Sequence, residues 1–160
     1  QTFPQSFAMR LLFVADLHYS LKQFDWLLAH AADYDATIIG GDLLDLGSAL
    51  DPDVQIAIVE KYLGQLRQKT RLMVCSGNHD GDSRNAADES VAQWIRESKA
   101  AGLFVDGDSI ELSGTTVTIC PWWHGPGSRA EVEEQLAIAA QNVRGRWICN
   151  GVSPQRGQSE

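Results

Sequence analysis

Sulfur, positive charge and long apolar runs are all in short supply in this chain. There are three cysteines, Cys75, Cys120 and Cys149, each closing an apolar run and none in a C-x-x-C spacing. That excludes a thiolate metal knuckle and a disulfide framework, and reads as buried thiols in a reducing compartment. Thirteen Lys and Arg stand against twenty-one Asp and Glu, for a net charge of −8 and a pI near 4.9. With no basic footprint, nucleic acid is not an expected partner except as a small nucleotide substrate. No apolar stretch approaches the ~18 residues of a spanning helix, and no basic segment leads into a hydrophobic one at the N-terminus, so no membrane association is expected and a cytoplasmic location is the default. Two phosphate-binding devices are also missing: the chain has neither a P-loop nor a G-x-G-x-x-G. A Cys-x5-Arg phosphatase loop fails on spacing, because Gly81 stands six residues after Cys75 and Arg84 nine after.

What is present suffices for one domain with a real core: 160 residues, 44% hydrophobic and 21% charged. Met9 reads as a natural start, which makes residues 1–8 an extension, 9–148 the domain and 149–160 an irregular tail. Arg10 to Ala15 is a short apolar run of strand type. Ser20 and Gln23 then form a potential capping box ahead of Phe24, Leu27, Leu28 and Ala31 at helical spacing. "ATIIG" (36–40) is a second strand. Asp51 and Pro52 open a helix with Ile56, Val59, Leu63 and Leu66 on one stripe. "RLMVCS" (71–76) is a third strand, and Val91, Trp94, Ile95 and Ser98 mark a third helix that Gly102 terminates.

This βαβαβα alternation, with strands apolar on both faces, predicts a parallel sheet covered by helices. From Leu103 the pattern changes to short runs divided by Asp-Gly and Ser-Gly, the mark of antiparallel strands. A hairpin is expected between Leu103–Val105 and Ile110–Leu112. A second capping box, Ser128 with Glu131, opens a helix to about Asn142, and Arg146 to Cys149 is one more strand. The fold class is α/β: a layered sandwich with a parallel βαβαβ first half and antiparallel strands after it.

Ligand sites of open parallel sheets lie beyond the carboxyl ends of the strands. The three strands end alike there. After the first come Asp16, Leu17 and His18; after the second, "GDLLD" (41–45); after the third, "GNHD" (77–80). The i, i+2 pair puts Asp16 and His18 on one side, able to grip one ion. Carboxylate, imidazole and amide donors without thiolate suit a hard-to-borderline divalent cation. Asp42, on the central loop, is placed to bridge two such ions, and the glycines before it and before Asn78 allow close backbone approach.

With "DLH", "GDLLD" and "GNHD" in this order, each after an apolar strand, the sequence resembles the calcineurin-like metallophosphoesterase family. The resemblance covers roughly residues 9–82 by motif and continues in element order to about 148. It implies hydrolysis of a phosphomonoester or phosphodiester by metal-activated hydroxide at a dinuclear site of two divalent ions, manganese, iron or zinc. In that reading Asp16 and His18 bind the first metal, Asp42 bridges, Asn78 binds the second, and His79 contacts the phosphate and assists the leaving group. Asp45 and Asp80 look like carboxylates that orient these groups.

The resemblance stops short of the family's later histidines, one after a further strand and a Gly-His-x-His motif. Asn150 and Gly151 follow the strand where the next histidine is expected. Of the two histidines not yet used, His30 falls off its helix's apolar stripe and reads as solvent-facing, and His124 in "PWWHGP" reads as turn punctuation before it reads as a ligand. The chain is therefore expected to be a C-terminally incomplete or altered member. The alternative function is an impaired remnant that acts as a binding module, and an exposed sheet face offers a route to self-association. Two further features have plain readings. Asp106 and Asp108 imitate the D-x-D of aspartyl-phosphate enzymes but sit where an Asp-Gly turn is expected. Trp122 and Trp123 read as packing against the sheet edge before they read as a surface that stacks on a base or substrate.

Overall fold

The computed structural model describes residues 9–142 and 147–150; the extension 1–8 and residues 151–160 of the expected tail lie outside them. Strand β1 (Leu11–Val14) is followed by helix α1 (Leu21–His30), β2 (Ala36–Ile39), α2 (Pro52–Leu66) and β3 (Arg71–Val74). The three strands pair in parallel in the order β1-β2-β3, with Leu11 beside Ala36 and Ala36 beside Arg71. All four residues of the central strand are buried, as a strand covered on both faces requires.

Alternation along these strands builds two cores. Leu12, Ile39, Leu72 and Val74 point to one side and pack with Phe24 and Leu27 of α1 and Val59, Leu63 and Leu66 of α2. Ala36, Ile38, Met73 and Cys75 point to the other and pack with Leu112, Val117 and Ile119 of a second sheet. That second sheet is β6 (Ser109–Leu112), β7 (Thr115–Ile119) and β8 (Trp147–Asn150), in which β6 and β7 are antiparallel and β8 lies parallel to β7. The molecule is thus helices on sheet on sheet. Each fully buried leucine in these layers contributes about 1.5–3 kcal/mol of transfer free energy.

Local signals explain most boundaries, and their failures have physical reasons. Asp51 caps α2 by accepting from the Asp53 N–H at 2.9 Å, with Pro52 in the first turn. The box expected at Ser20 and Gln23 does not form, because the Ser20 N–H it needs is already given to the Leu17 carbonyl at 2.8 Å. The hairpin expected around Asp106-Gly107 is also absent. Instead Phe104 pairs with Met73 in parallel, extending the first sheet, and the antiparallel turn falls at Ser113-Gly114, both left-handed at φ 49 and 80°. The Asp106 carboxylate accepts from the Ser76 N–H at 2.9 Å, which fastens that turn to the end of β3 rather than to a hairpin partner. Val91, expected in a helix, lies in a small hairpin, β4 (Ser83–Arg84) with β5 (Ser90–Val91); helix α3 covers Gln93–Glu97 and closes through a 3₁₀ turn at Gly102. No helix among the described residues is long and apolar enough to cross a membrane.

Helix α4 (Pro126–Asn142) starts two residues before the expected cap. Its first turn is closed from a distance by Glu89, whose carboxylate accepts from the Gly127 and Ser128 N–H groups at 2.7 and 2.6 Å. The Ser128 N–H being taken, Glu131 instead pairs with Arg96 at 3.3 Å.

Candidate metal centre

The loops after β1 and β2 are laced together by their backbones. The Asp16 N–H donates to the Gly41 carbonyl at 3.1 Å, His18 N–H to Asp42 at 2.9 Å and Tyr19 N–H to Leu43 at 2.8 Å. To make those bonds the chain takes left-handed φ at Asp16 (55°), His18 (41°), Tyr19 (54°) and Asp42 (54°), a costly choice for residues with a Cβ. Two glycines let the second and third loops touch. A Cβ on Gly41, itself at φ 93°, would stand 2.6 Å from the Gly77 nitrogen, and one on Gly77 would stand 2.1 Å from Asp42 Oδ1.

The consequence is a convergence of side chains. Asp16, His18 and Asp42 each offer a ligand atom, all within 4.8 Å of one another. His18 Nε2 lies 4.0 Å from Asp16 Oδ1, both groups open to solvent. Asp42 Oδ1 accepts from the His79 N–H at 2.9 Å, and the His79 ring meets His18 edge-on at 4.6 Å between centroids. The His79 Nδ1 atom is buried without a hydrogen-bond partner among the described residues. Asn78, the residue before it, is exposed on the same loop. Two carboxylates and an imidazole facing one point are a donor set that fits a divalent cation of the hard-to-borderline kind.

Asp80 holds this arrangement from beneath. It is fully buried, and its Oδ2 accepts from the Asp42 and Gly77 N–H groups (2.9 and 2.8 Å) while Oδ1 accepts from Leu43 and Leu44 (2.8 and 3.1 Å). Burial pushes its carboxyl up to about 7, the N–H bonds from Gly77, Leu44 and Leu43 oppose that, and Asp42 adds to it. Every partner is a donor, so the contacts demand the carboxylate form. The sequence marks Asp80 only as an orienting carboxylate; a clamp of four amides on two loops is beyond what spacing can reveal.

Other expected residues lie elsewhere. Asp45 is outside the ligand group: its carboxylate accepts from the Gly47 N–H at 2.8 Å and its backbone is held by the buried Gln55 amide, so it shapes the loop into α2. His30 stacks on Trp26 at 4.2 Å with Nδ1 2.7 Å from the Trp26 carbonyl. His124 is exposed and outside the ligand group; partial desolvation holds its imidazole below the usual range, with Glu89 opposing and Arg84 reinforcing. Asp106 is engaged with Ser76, and Asp108 with Lys99 and the Val105 N–H, so neither is presented as a nucleophile.

The fold has solved counterparts. The crystal structure of TT1561 of Thermus thermophilus is similar with a TM-score of 0.62 over 94% of this chain and 72% of that one, at 13% identity, a likeness of fold alone. No curated protein matches the chain in sequence. The family model of the calcineurin-like phosphoesterases matches residues 9–146. That span takes in all three strand-end loops, the whole first sheet and strands β6 and β7 of the second, and the chain belongs to the calcineurin-like phosphoesterase family.

Proposed function

We propose that this chain hydrolyses a phosphomonoester or phosphodiester at the carboxyl edge of the first sheet, with Asp16, His18 and Asp42 holding one divalent cation and Asp42 and Asn78 a second. The observation that carries the reading is the meeting of three ligand atoms from two strand-end loops within 4.8 Å. A divalent cation supplies there a Lewis acid that polarises the phosphoryl oxygens and makes water a nucleophile at neutral pH. The chain's own part is placement. Asp80 fixes the Asp42 and Gly77 backbones, and Asp42 in turn orients the peptide of His79. His79, edge-on to His18, is the group set to hydrogen-bond the phosphate and give a proton to the departing oxygen. Manganese, iron or zinc suits the donors, and the buried Cys75 and Cys120 suit a reducing cytoplasm.

The test is turnover of nitrophenyl phosphate and bis(nitrophenyl) phosphate with added manganese. Metal-dependent hydrolysis that falls at least a hundredfold in Asp42→Asn is the expected result; none above the variant's level defeats the reading. A second reading, an impaired member that binds without turnover, draws on the size of the ligand group, which among the described residues stops at three His, Cys, Asp or Glu side chains. Two tightly held metals per chain by elemental analysis would exclude it.

A further inference from the structure

The loop after β7 ends at the same edge as the candidate metal centre. The Trp122 N–H donates to Ser76 Oγ at 3.0 Å, and Ser76 opens the loop that carries Asn78 and His79. Beside it is a cavity of about 440 Å³ lined by Trp122, Trp123, His124, Gly125, Pro126 and Arg129. None of the candidate metal ligands lines it, so it is distinct from the centre and tied to it through the Trp122–Ser76 bond. Both indoles are half-buried, with surface left to offer a ligand.

The charge around it is mixed, with the Asp88 and Glu89 carboxylates lining the adjoining cavity. In a protein of net charge −8, this corner carries two guanidiniums. Arg129 lies in the cavity wall, and Arg84 lines an adjoining cavity of about 470 Å³ that shares His124, Gly125 and Pro126. Each is paired with an exposed carboxylate four residues on, Glu133 and Asp88, a kind of pair worth little and readily exchanged for a ligand anion.

The walls are also fixed in advance. Ser128 Oγ accepts from the His124 and Gly125 N–H groups at 3.1 and 3.3 Å, and Glu89 holds the start of α4. A Cβ on Gly125 would stand 2.3 Å from Glu89 Oε1, so this turn is as closely fitted as the metal loops. A rigid slot of indole, imidazole and guanidinium groups stacks flat rings at low entropic cost, and its volume is in the range that holds a small ligand.

Resting on the phosphoesterase reading, we propose that the β7 loop with Trp122, Trp123, His124 and Arg129 is the leaving-group subsite and selects phosphoesters of flat aromatic groups, an aryl ring or a nucleobase. The indoles stack on the ring while the reacting phosphoryl group stays at the strand-end centre.

The test is calorimetric binding of adenosine 5′-monophosphate, phenyl phosphate and glycerol 2-phosphate to the metal-free protein, so that no turnover enters. One or both aromatic esters should bind at least about tenfold more tightly than glycerol 2-phosphate, the size of one stacking contact. Preference for the nucleotide alone identifies a nucleobase slot; preference for both identifies a ring slot. Trp123→Ala and Trp122→Ala should each erase the preference, and Trp123→Phe, which keeps a ring, should retain most of it in a protein with an unchanged melting curve. Equal binding of the three esters, or an unchanged preference in a folded Trp→Ala variant, overturns the proposal. Absent turnover with the preference intact counts against the phosphoesterase reading alone.

Discussion

Gly77 has no room for a methyl group, and the reason is Asp42. A Cβ there would lie 2.1 Å from Asp42 Oδ1 and 2.4 Å from its nitrogen, so Gly77→Ala must push apart the two loops that Asp80 clamps. The expected loss is about 1–3 kcal/mol in urea unfolding, the usual size of overpacking, with weaker manganese binding in the same variant. Asp106 makes a different kind of prediction. Burial raises its carboxyl to about 6, against the N–H bond from Ser76. The folded protein therefore holds that proton more tightly than the unfolded chain, whose ordinary value is 3.8. Stability is helped below the unfolded value and declines as pH rises from there to about 6. Asp106→Asn keeps an acceptor for Ser76 and should flatten that decline, read as the urea midpoint between pH 4 and 7. A midpoint that falls as steeply as in the parent protein would show that Asp106 ionises freely.

Among the elements, those announced by neighbours in sequence were legible and those fastened from afar were not. The parallel strands and α2 follow from short apolar runs and from Asp51-Pro52, all local signals. The nearness of the three strand-end loops was legible for a related reason: a parallel sheet puts successive strand ends side by side, so order along the chain becomes proximity in space. Three of the failures share one cause. Ser20, Ser128 and the Asp106-Gly107 turn carry the right residue types, but their backbone partners are taken by other groups: Ser20's N–H by Leu17, Ser128's by Glu89, and Asp106 by Ser76. Glu89 is the clearest case, reaching from the end of a two-strand hairpin to close α4. The Ser128 hydroxyl first, then the Gly127 and Ser128 amides, hold its carboxyl down at about 2. That stabilisation is whole above the ordinary glutamate value of 4.5 and is lost as pH falls from there toward 2. Glu89→Gln should lower the melting temperature at neutral pH and shrink the acid-side loss, measured by circular dichroism melts from pH 2 to 7. An unchanged acid limb would remove Glu89 from the account.

At the scale of the whole molecule, metal and fold should be linked. The candidate ligands sit on loops whose own conformations depend on one another, so an ion bound by the folded chain alone shifts unfolding by mass action: about 2.7 kcal/mol at a hundred times its Kd. Manganese should raise the melting temperature of the parent protein, a chelator should reverse the rise, and Asp42→Asn should show neither effect. A parent melt indifferent to both would mean that the loops hold no ion. Four of the six non-glycine residues with left-handed backbone among the described residues are Asp16, His18, Tyr19 and Asp42. Such conformations cost roughly 1 kcal/mol or more each and persist because the surrounding network of amides enforces them. A population of variants screened for heat tolerance alone would therefore drift toward glycine at positions 18 and 19, gaining robustness while discarding an imidazole at the centre. Durability alone would favour glycine where the chain instead carries two aspartates, a histidine and a tyrosine.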